Sequence, residues 1–411
     1  MEDVNTINLE TDDITTTEKG AKKKRTEKGW LVFLLIGIAG VAGGVGCLLF
    51  GLFRPREVAA DLMFPKLPTT TVTTDVAYSD LTGEPLADGA SKDAPTFCMQ
   101  VPNGTDGARP HSGLRQAGVI FEAIAEAGIT RFAAIFQNPT QAVIGPIRSL
   151  RLYFLDWDVP FDCTIVHAGG ADDAIAALRA GGYRNMNESY YYMYRGTNYS
   201  RLWNNLFTTA SLMRQFNEDH GYSNSNVRGF MRMAPEESAR DRIDKLAEMR
   251  LNIVKPASGD TSALTAKVPR VYFRFGGSPS FNVFYDYDIT SNTYARSYET
   301  GDAHGVYHCA DTNLGEVNPE GSCEMSQMAP SVVIAMIVQQ HRAEDDYHEN
   351  IATIGSGDAY IFQNGMAIKG TWTKNSREDQ IKFTDEGGAE IRLAPGQTII
   401  SAIPQYGGVD Y

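Results

Sequence analysis

Between Ala108 and Gly170 the chain threads Arg109, His111, Glu122, Glu126, Arg131, Arg148, Arg151 and His167 through apolar runs that belong in a core. An unpaired buried charge is costly, so charges in such a pattern must pair with one another or serve a ligand. The runs Val119 to Ile124 and Ile129 to Phe136, joined by Ala127-Gly128, read as core strands. Asn138-Pro139 closes the second, and Ala142 to Ile147, with Gly145-Pro146 inside it, is expected as a third. Arg148, Ser149 and Arg151 then stand where a strand ends and a helix from Leu150 to Trp157 begins. Unpaired amides and a partial positive charge at a helix start, with two arginines beside it, make a seat for phosphate or carboxylate. Cys163 to Val166 reads as another buried strand, which delivers His167 and the turn Gly169-Gly170 to its C-terminal edge before a helix from Asp172 to about Ala180. Such edges are where open α/β sheets place ligands.

The candidate ligand-binding set is therefore Arg109, His111, Glu122, Arg131, Arg148, Ser149, Arg151 and His167. Arg109, Arg131, Arg148, Arg151 and His167 are expected in one concave region. The competing reading is architectural, with Glu122 and Glu126 against Arg131, Arg148 against Asp156, and His167 a satisfied strand-end histidine. No catalytic residue can be assigned, because the chain has no GxSxG elbow, P-loop, HExxH or Rossmann glycine pattern. No cofactor is indicated either, and no two cysteines have zinc-ligand spacing.

The N-terminal region constrains location. Residues 1–28 are polar and expected to be a disordered cytoplasmic tail ending in Lys22, Lys23, Lys24, Arg25 and Lys28. A transmembrane helix is expected over 29–53, since Trp30 to Phe53 carries no charge and spans about 36 Å as a helix, against a hydrocarbon thickness of roughly 30 Å. The lysine cluster orients it, so everything after Arg54 is expected outside the cytoplasm. An uncleaved anchor is favoured over lipoprotein processing at Cys47, because Gly44-Val45-Gly46-Cys47 is followed by apolar Leu48-Leu49-Phe50. Residues 54–76, with Pro65, Pro68 and several threonines, form an extended linker.

Beyond it, 411 residues suggest two folded domains. The expectation is an α/β (α+β) domain over 77–258, starting with a strand from Thr96 to Val101, then a mainly antiparallel β-rich domain over 259–411. Helices are expected from Leu206 to Phe216 and from Pro235 to Leu251. After Lys267 the apolar period becomes two, in Val271–Phe275, Phe281–Tyr287, Val332–Val338, Asp358–Gln363, Ala367–Trp372 and Ile391–Leu393. Tyr190, Tyr191, Tyr192 and Tyr194 form an aromatic patch that reads as packing before it reads as a glycan platform. Cys309 and Cys323 flank a loop and can bridge, whereas Cys98 and Cys163 read as free thiols in core strands. With 50 acidic against 37 basic residues, nucleic acid is not an expected partner.

The run ARPHSGL, the EAGITRF segment, GPIRS followed by Arg151, the HAGG turn and the stretch from Gly355 to Thr398 resemble the YerB-like bacterial lipoprotein family, known as domain of unknown function 3048. The resemblance covers roughly Tyr78 to Pro404 and extends to Tyr294, Arg296 and His304. It implies a place on the outer face of the cell membrane rather than an activity. A second likeness, of Asn138-Pro139-Thr140, Pro146-x-Arg148 and Leu178 to Gly182, is to the core of LytR-CpsA-Psr phosphotransferases, whose arginines hold a lipid pyrophosphate. Ser149 departs from the acidic residue usual after that arginine. The expectation is a membrane-anchored cell-envelope protein that binds an anionic ligand, such as a cell-wall glycan or lipid pyrophosphate, or an envelope protein. The alternative is a phosphotransferase or hydrolase acting on a phosphorylated glycan or lipid-linked precursor.

Overall fold

The computed structural model describes residues 76–196, 202–254, 270–309 and 323–411, with backbone only over 245–254. The expected tail, the membrane span and all of the linker but Val76 lie outside these residues. Among the described residues no helix is long and apolar enough to cross a membrane.

Strand β1 (Thr96–Pro102) is buried at every position. It is followed by the two-residue β2 (His111–Ser112), then by β3 (Val119–Glu126) and β4 (Ile129–Gln137), which pair antiparallel. Near-continuous burial along a strand means that both sheet faces are covered. The expected third strand, Ala142 to Ile147, does not form: Ser112–Gly145 and Ile144–Thr208 are isolated bridges. Gly145 sits at φ +143° and Pro146 has no N–H to give, so a ladder cannot run through them.

Helix α1 (Leu152–Asp158) buries Tyr153, Phe154 and Trp157 under the sheet, and β5 (Thr164–His167) runs parallel to β1. Helix α2 (Asp172–Ala180) covers the same face and leads to β6 (Asn185–Asn187). The helix expected from Leu206 begins later. Leu206–Phe207 is β8, paired with β7 (Tyr194–Arg195), and Thr209 then caps α3 (Ala210–Asp219) by accepting from the Leu212 amide at 3.0 Å. Helix α4 (Pro235–Val254) agrees with its charged pattern.

The second half is strand after strand. The antiparallel run β9 (Arg270–Arg274), β10 (Val283–Asp288) and β11 (Thr293–Tyr298) shows the alternating burial of a sheet with one covered face. Then β12 (Gly305–His308) and β13 (Glu324–Gln327) join β2 in a small sheet. After β14 (Val332–Val338), the short hairpin β15 (Gln340–Arg342) and β16 (Glu349–Ile351) projects over the end of β3. The chain continues through β17 (Gly355–Gln363), β18 (Met366–Lys374), β19 (Lys382–Asp385), β20 (Thr398–Pro404) and β21 (Gly408–Asp410). Ile391 to Leu393, expected as a strand, makes only one isolated bridge, from Leu393 to Arg232.

The organising element is one ten-stranded sheet in the order β19-β18-β17-β14-β20-β3-β4-β1-β5-β6. Strand β20 lies in its middle, parallel to both β14 and β3. Strands from either side of residue 258 therefore share one sheet, and residues 75–411 form one compact unit. On one face, Phe121, Ile334 and Ile400 pack against α1 and α2. On the other, Ile124, Phe132, Val333 and Ile399 share a core with Phe273, Tyr285 and Tyr298 of the β9–β11 sheet.

Both cysteine pairs are bonded. Cys309–Cys323 forms the bridge expected of it, whereas Cys98 and Cys163, expected as free thiols, are joined across the β1–β5 neighbourhood. That correction depends on a parallel pairing of strands far apart in sequence.

Candidate functional site

A register shift between Ile124 and Glu126 interrupts the β3–β4 ladder. Without it, Glu126 would share the face of Glu122; with it, Glu126 meets Arg131 on the helix side. Arg131 donates to Glu126 at 2.6 Å and Arg151 donates to its other oxygen at 2.9 Å, with all three side chains largely buried. A second Arg131 nitrogen donates to the Ser149 carbonyl at 2.8 Å, which fixes the start of α1. Burial alone would raise the Glu126 pKa, but Arg131 and Arg151 hold it below the ordinary range. Burial pushes Arg131 down to about 10.

Arg148 completes the cluster without joining the bridge. Its amide donates to Gln100 and its carbonyl accepts from Ala168, so its backbone is locked between β1 and the end of β5. Its guanidinium is half-buried, and among the described residues it makes no hydrogen bond or ion pair; Nε is wholly enclosed and unsatisfied. Burial lowers the Arg148 pKa, while Glu126, Asp106 and Tyr347 act against that and Arg151 adds to it. Three guanidinium groups thus surround one carboxylate, an excess of positive charge beside a cavity of about 450 Å³. Ser149, Arg151, Asp156, Asp345, His348 and Glu349 are among its walls. The β15–β16 hairpin supplies one wall because His348 bridges Glu126 through the backbone. His348 Nδ1 donates to Asp345 at 2.5 Å, and Asp345, which also accepts from the Tyr347 and His348 amides, is held well below the usual carboxylate range.

The remaining candidates lie elsewhere. Glu122 faces the other core, where Arg296 donates to both of its oxygens at 2.9 Å and Thr130, Asn103 and Ser401 complete its shell. Arg296 also reaches His304, His304 bonds His111 at 3.0 Å, and His111 Nε2 bonds the Pro102 carbonyl at 2.8 Å. A carbonyl only accepts, so His111 carries its proton on Nε2 and accepts at Nδ1; His304 then donates from Nε2 and accepts from Arg296 at Nδ1. Both rings are therefore neutral. Burial pushes His111 down to about 3, and burial together with Arg296 holds His304 well below the histidine range. Arg109 donates to Asn103 and Ser280 and stacks over Tyr298 at 3.6 Å. His167 is enclosed by Gly169 and Asn185, and burial lowers its pKa.

The structure thus brings Arg131, Arg148, Ser149 and Arg151 together around Glu126. It puts Arg109, His111 and Glu122 on the opposite sheet face and His167 in a small network of its own. Two of the architectural pairings differ from expectation: Glu122 pairs with Arg296 rather than Arg131, and Asp156 with Arg377 rather than Arg148. Asp345 and His348 carried no sequence signal, since only the hairpin fold brings them to the cavity. Arg296 and His304 belonged to the recognised pattern, but their partners were invisible.

Fold and site together define a mainly-β protein with a few covering helices and a buried arginine–glutamate cluster beside a cavity that Arg151 helps to line. The chain belongs to the YerB-like family: residues 81–223 match the model "Protein of unknown function (DUF3048) N-terminal domain" and residues 271–400 the corresponding C-terminal domain. It is 26% identical over 308 residues to "Putative lipoprotein YerB" of Bacillus subtilis (strain 168), covering 74% of this chain and 80% of that protein. The crystal structure of YerB from Bacillus subtilis superposes with a TM-score of 0.62 at 21% identity, over 82% of this chain and 100% of that one. At that identity the likeness speaks to the fold.

Proposed function

We propose that this protein is a membrane-anchored, extracytoplasmic envelope protein that binds an anionic envelope ligand at the Arg148–Arg151 corner. The location draws on the putative-lipoprotein relative and on the uncharged Trp30 to Phe53 segment behind its lysine cluster. The observation that carries the binding reading is Arg148: a half-buried guanidinium that has no hydrogen-bond partner among the described residues, beside an arginine-rich bridge. A purely architectural arginine would be paired, as Arg131 and Arg151 are. A carboxylate or phosphate from a cell-wall glycan, a lipid pyrophosphate or an envelope protein would supply the missing acceptor.

The test is calorimetric titration of the full chain in detergent with inorganic pyrophosphate. Charge-assisted hydrogen bonds contribute about 1.5–3 kcal/mol, so Arg148→Ala should weaken binding by roughly ten- to a hundredfold while leaving thermal stability unchanged. Equal affinity of the two proteins would refute the assignment. A reporter fused to the C-terminus should be active only outside the cytoplasm. The second reading, hydrolysis or phosphoryl transfer, is favoured by the Asp345–His348 pair, which is acid–base equipment at the cavity wall. It requires p-nitrophenyl phosphate turnover that His348→Gln abolishes; no turnover by the unaltered protein ends it.

A further inference from the structure

We infer that the cleft where the start of β1 meets the end of α3 is a second ligand site, taking a compact neutral molecule with a ring and one hydrogen-bond acceptor, such as an aryl ketone or amide, and that Asn217 is its donor. The cleft shares no wall residue with the cavity beside Arg151 and does not depend on the anion-binding reading.

Four segments enclose a volume of about 430 Å³, within the range of small-molecule sites. Pro95 and Phe97 at the start of β1, Pro139 in the turn after β4 and Tyr222 after α3 supply flat, apolar faces. The walls are tied to one another. Arg214 on α3 donates to the Pro139 carbonyl at 2.8 Å, and the Tyr222 amide donates to the Asn217 carbonyl at 2.8 Å. Gly221, at φ +71°, makes the turn that brings Tyr222 back, and the Arg184 guanidinium lies 5.3 Å from the centre of the Tyr222 ring. These ties hold the faces in place without help from a ligand, so little ordering opposes binding.

Asn217 gives the cleft a polar wall. It is 2% exposed, and its Oδ1 accepts from the Thr164 hydroxyl at 2.7 Å, yet its Nδ2 is enclosed with no hydrogen-bond partner among the described residues. A buried donor left unmet is costly, and a carbonyl seated in the cleft recovers that cost. Charge narrows the choice further. Arg214, Asn217 and Glu218 stand on one face of α3 by their spacing, and the two charged residues are exposed and opposite in sign, so the mouth favours neither an anion nor a cation. A ring against the proline and tyrosine faces, with its acceptor on Asn217, satisfies walls and donor together. A plain hydrocarbon satisfies only the walls, and an inorganic anion only the donor.

The experiment titrates the full chain in detergent with acetophenone and with ethylbenzene, which has nearly the same shape but no acceptor; uptake by protein-free micelles is measured for each and subtracted. Acetophenone is expected to bind roughly three- to tenfold more tightly than ethylbenzene. Asn217→Leu should remove that preference. Ser223→Trp, which fills the mouth from an exposed position, should abolish binding of both probes at unchanged thermal stability. Asn217→Leu also loses the Thr164 bond, so if that variant does not fold, Ser223→Trp and the preference of the unaltered protein decide. The inference is overturned if neither probe binds, if the two bind alike, or if Ser223→Trp leaves their binding intact.

Discussion

The neutral histidine relay makes stability depend on pH in a window where few other groups titrate. His111 and His304 are buried, bonded in series and uncharged, with the His111 pKa pushed down to about 3 from an ordinary 6.5 and His304 also well below it. A lowered histidine pKa means that below pH 6.5 the unfolded chain takes up protons which the folded chain refuses. The stabilising contribution is thus present above the unfolded pKa and is lost progressively as pH falls through 6.5 towards the folded value. Between pH 7.5 and 5.5 the two histidines together lose roughly 3 kcal/mol. Unfolding a unit of this size carries an entropy of roughly 0.7 kcal/mol/K, which converts the loss to a fall in Tm of about 4 °C. His167, whose pKa burial also lowers, acts in the same direction. The assay is calorimetry of the protein and of the His111→Gln, His304→Gln double variant at both pH values. The variant should be less stable at pH 7.5 but lose distinctly less on acidification. An unchanged Tm across the window, or an undiminished pH dependence in the variant, would refute the reasoning.

Three further outcomes are expected. Cys98→Ser, Cys163→Ser should destabilise by about 4 kcal/mol, since the bond closes a 65-residue separation; loss of Cys309–Cys323, with a separation of 14, should cost about 3 kcal/mol, both read from urea midpoints under non-reducing conditions. Glu122→Gln strands the buried Arg296 charge and should cost about 3–5 kcal/mol by the same measurement, whereas a surface pair such as Lys92–Asp80 should cost less than about 1 kcal/mol. Glu126→Gln leaves Arg131 and Arg151 without their shared carboxylate; it should lower thermal stability and raise affinity for inorganic pyrophosphate, because two guanidinium groups are released from their partner beside Arg148.

What the sequence reveals here is mostly local. The apolar runs of β3, β4 and β14 and the charged face of α4 announce themselves through periodicity, because each is settled by a few consecutive residues. Gly145-Pro146 misleads, since its apolar neighbours look like a strand while its backbone cannot pair as one. The charged core residues are legible as a problem but not as a solution. Arg131 and Glu122 stand on β4 and β3 with no sign of which face each takes, and a one-residue irregularity near Glu126 decides the matter. The Glu122–Arg296 partnership and the Cys98–Cys163 bond cross 174 and 65 residues, distances over which no local pattern carries information.

The central position of β20 also governs how such a protein can be made. Strand β3 ends at Glu126, but the neighbour that covers its free edge begins only at Thr398. A chain synthesised from its N-terminus therefore carries that apolar edge bare until β20 arrives, open meanwhile to pairing with another chain. The sheet is therefore closed only when β20 is in place, and a truncation that removes the residues after Gln397 would part its two halves.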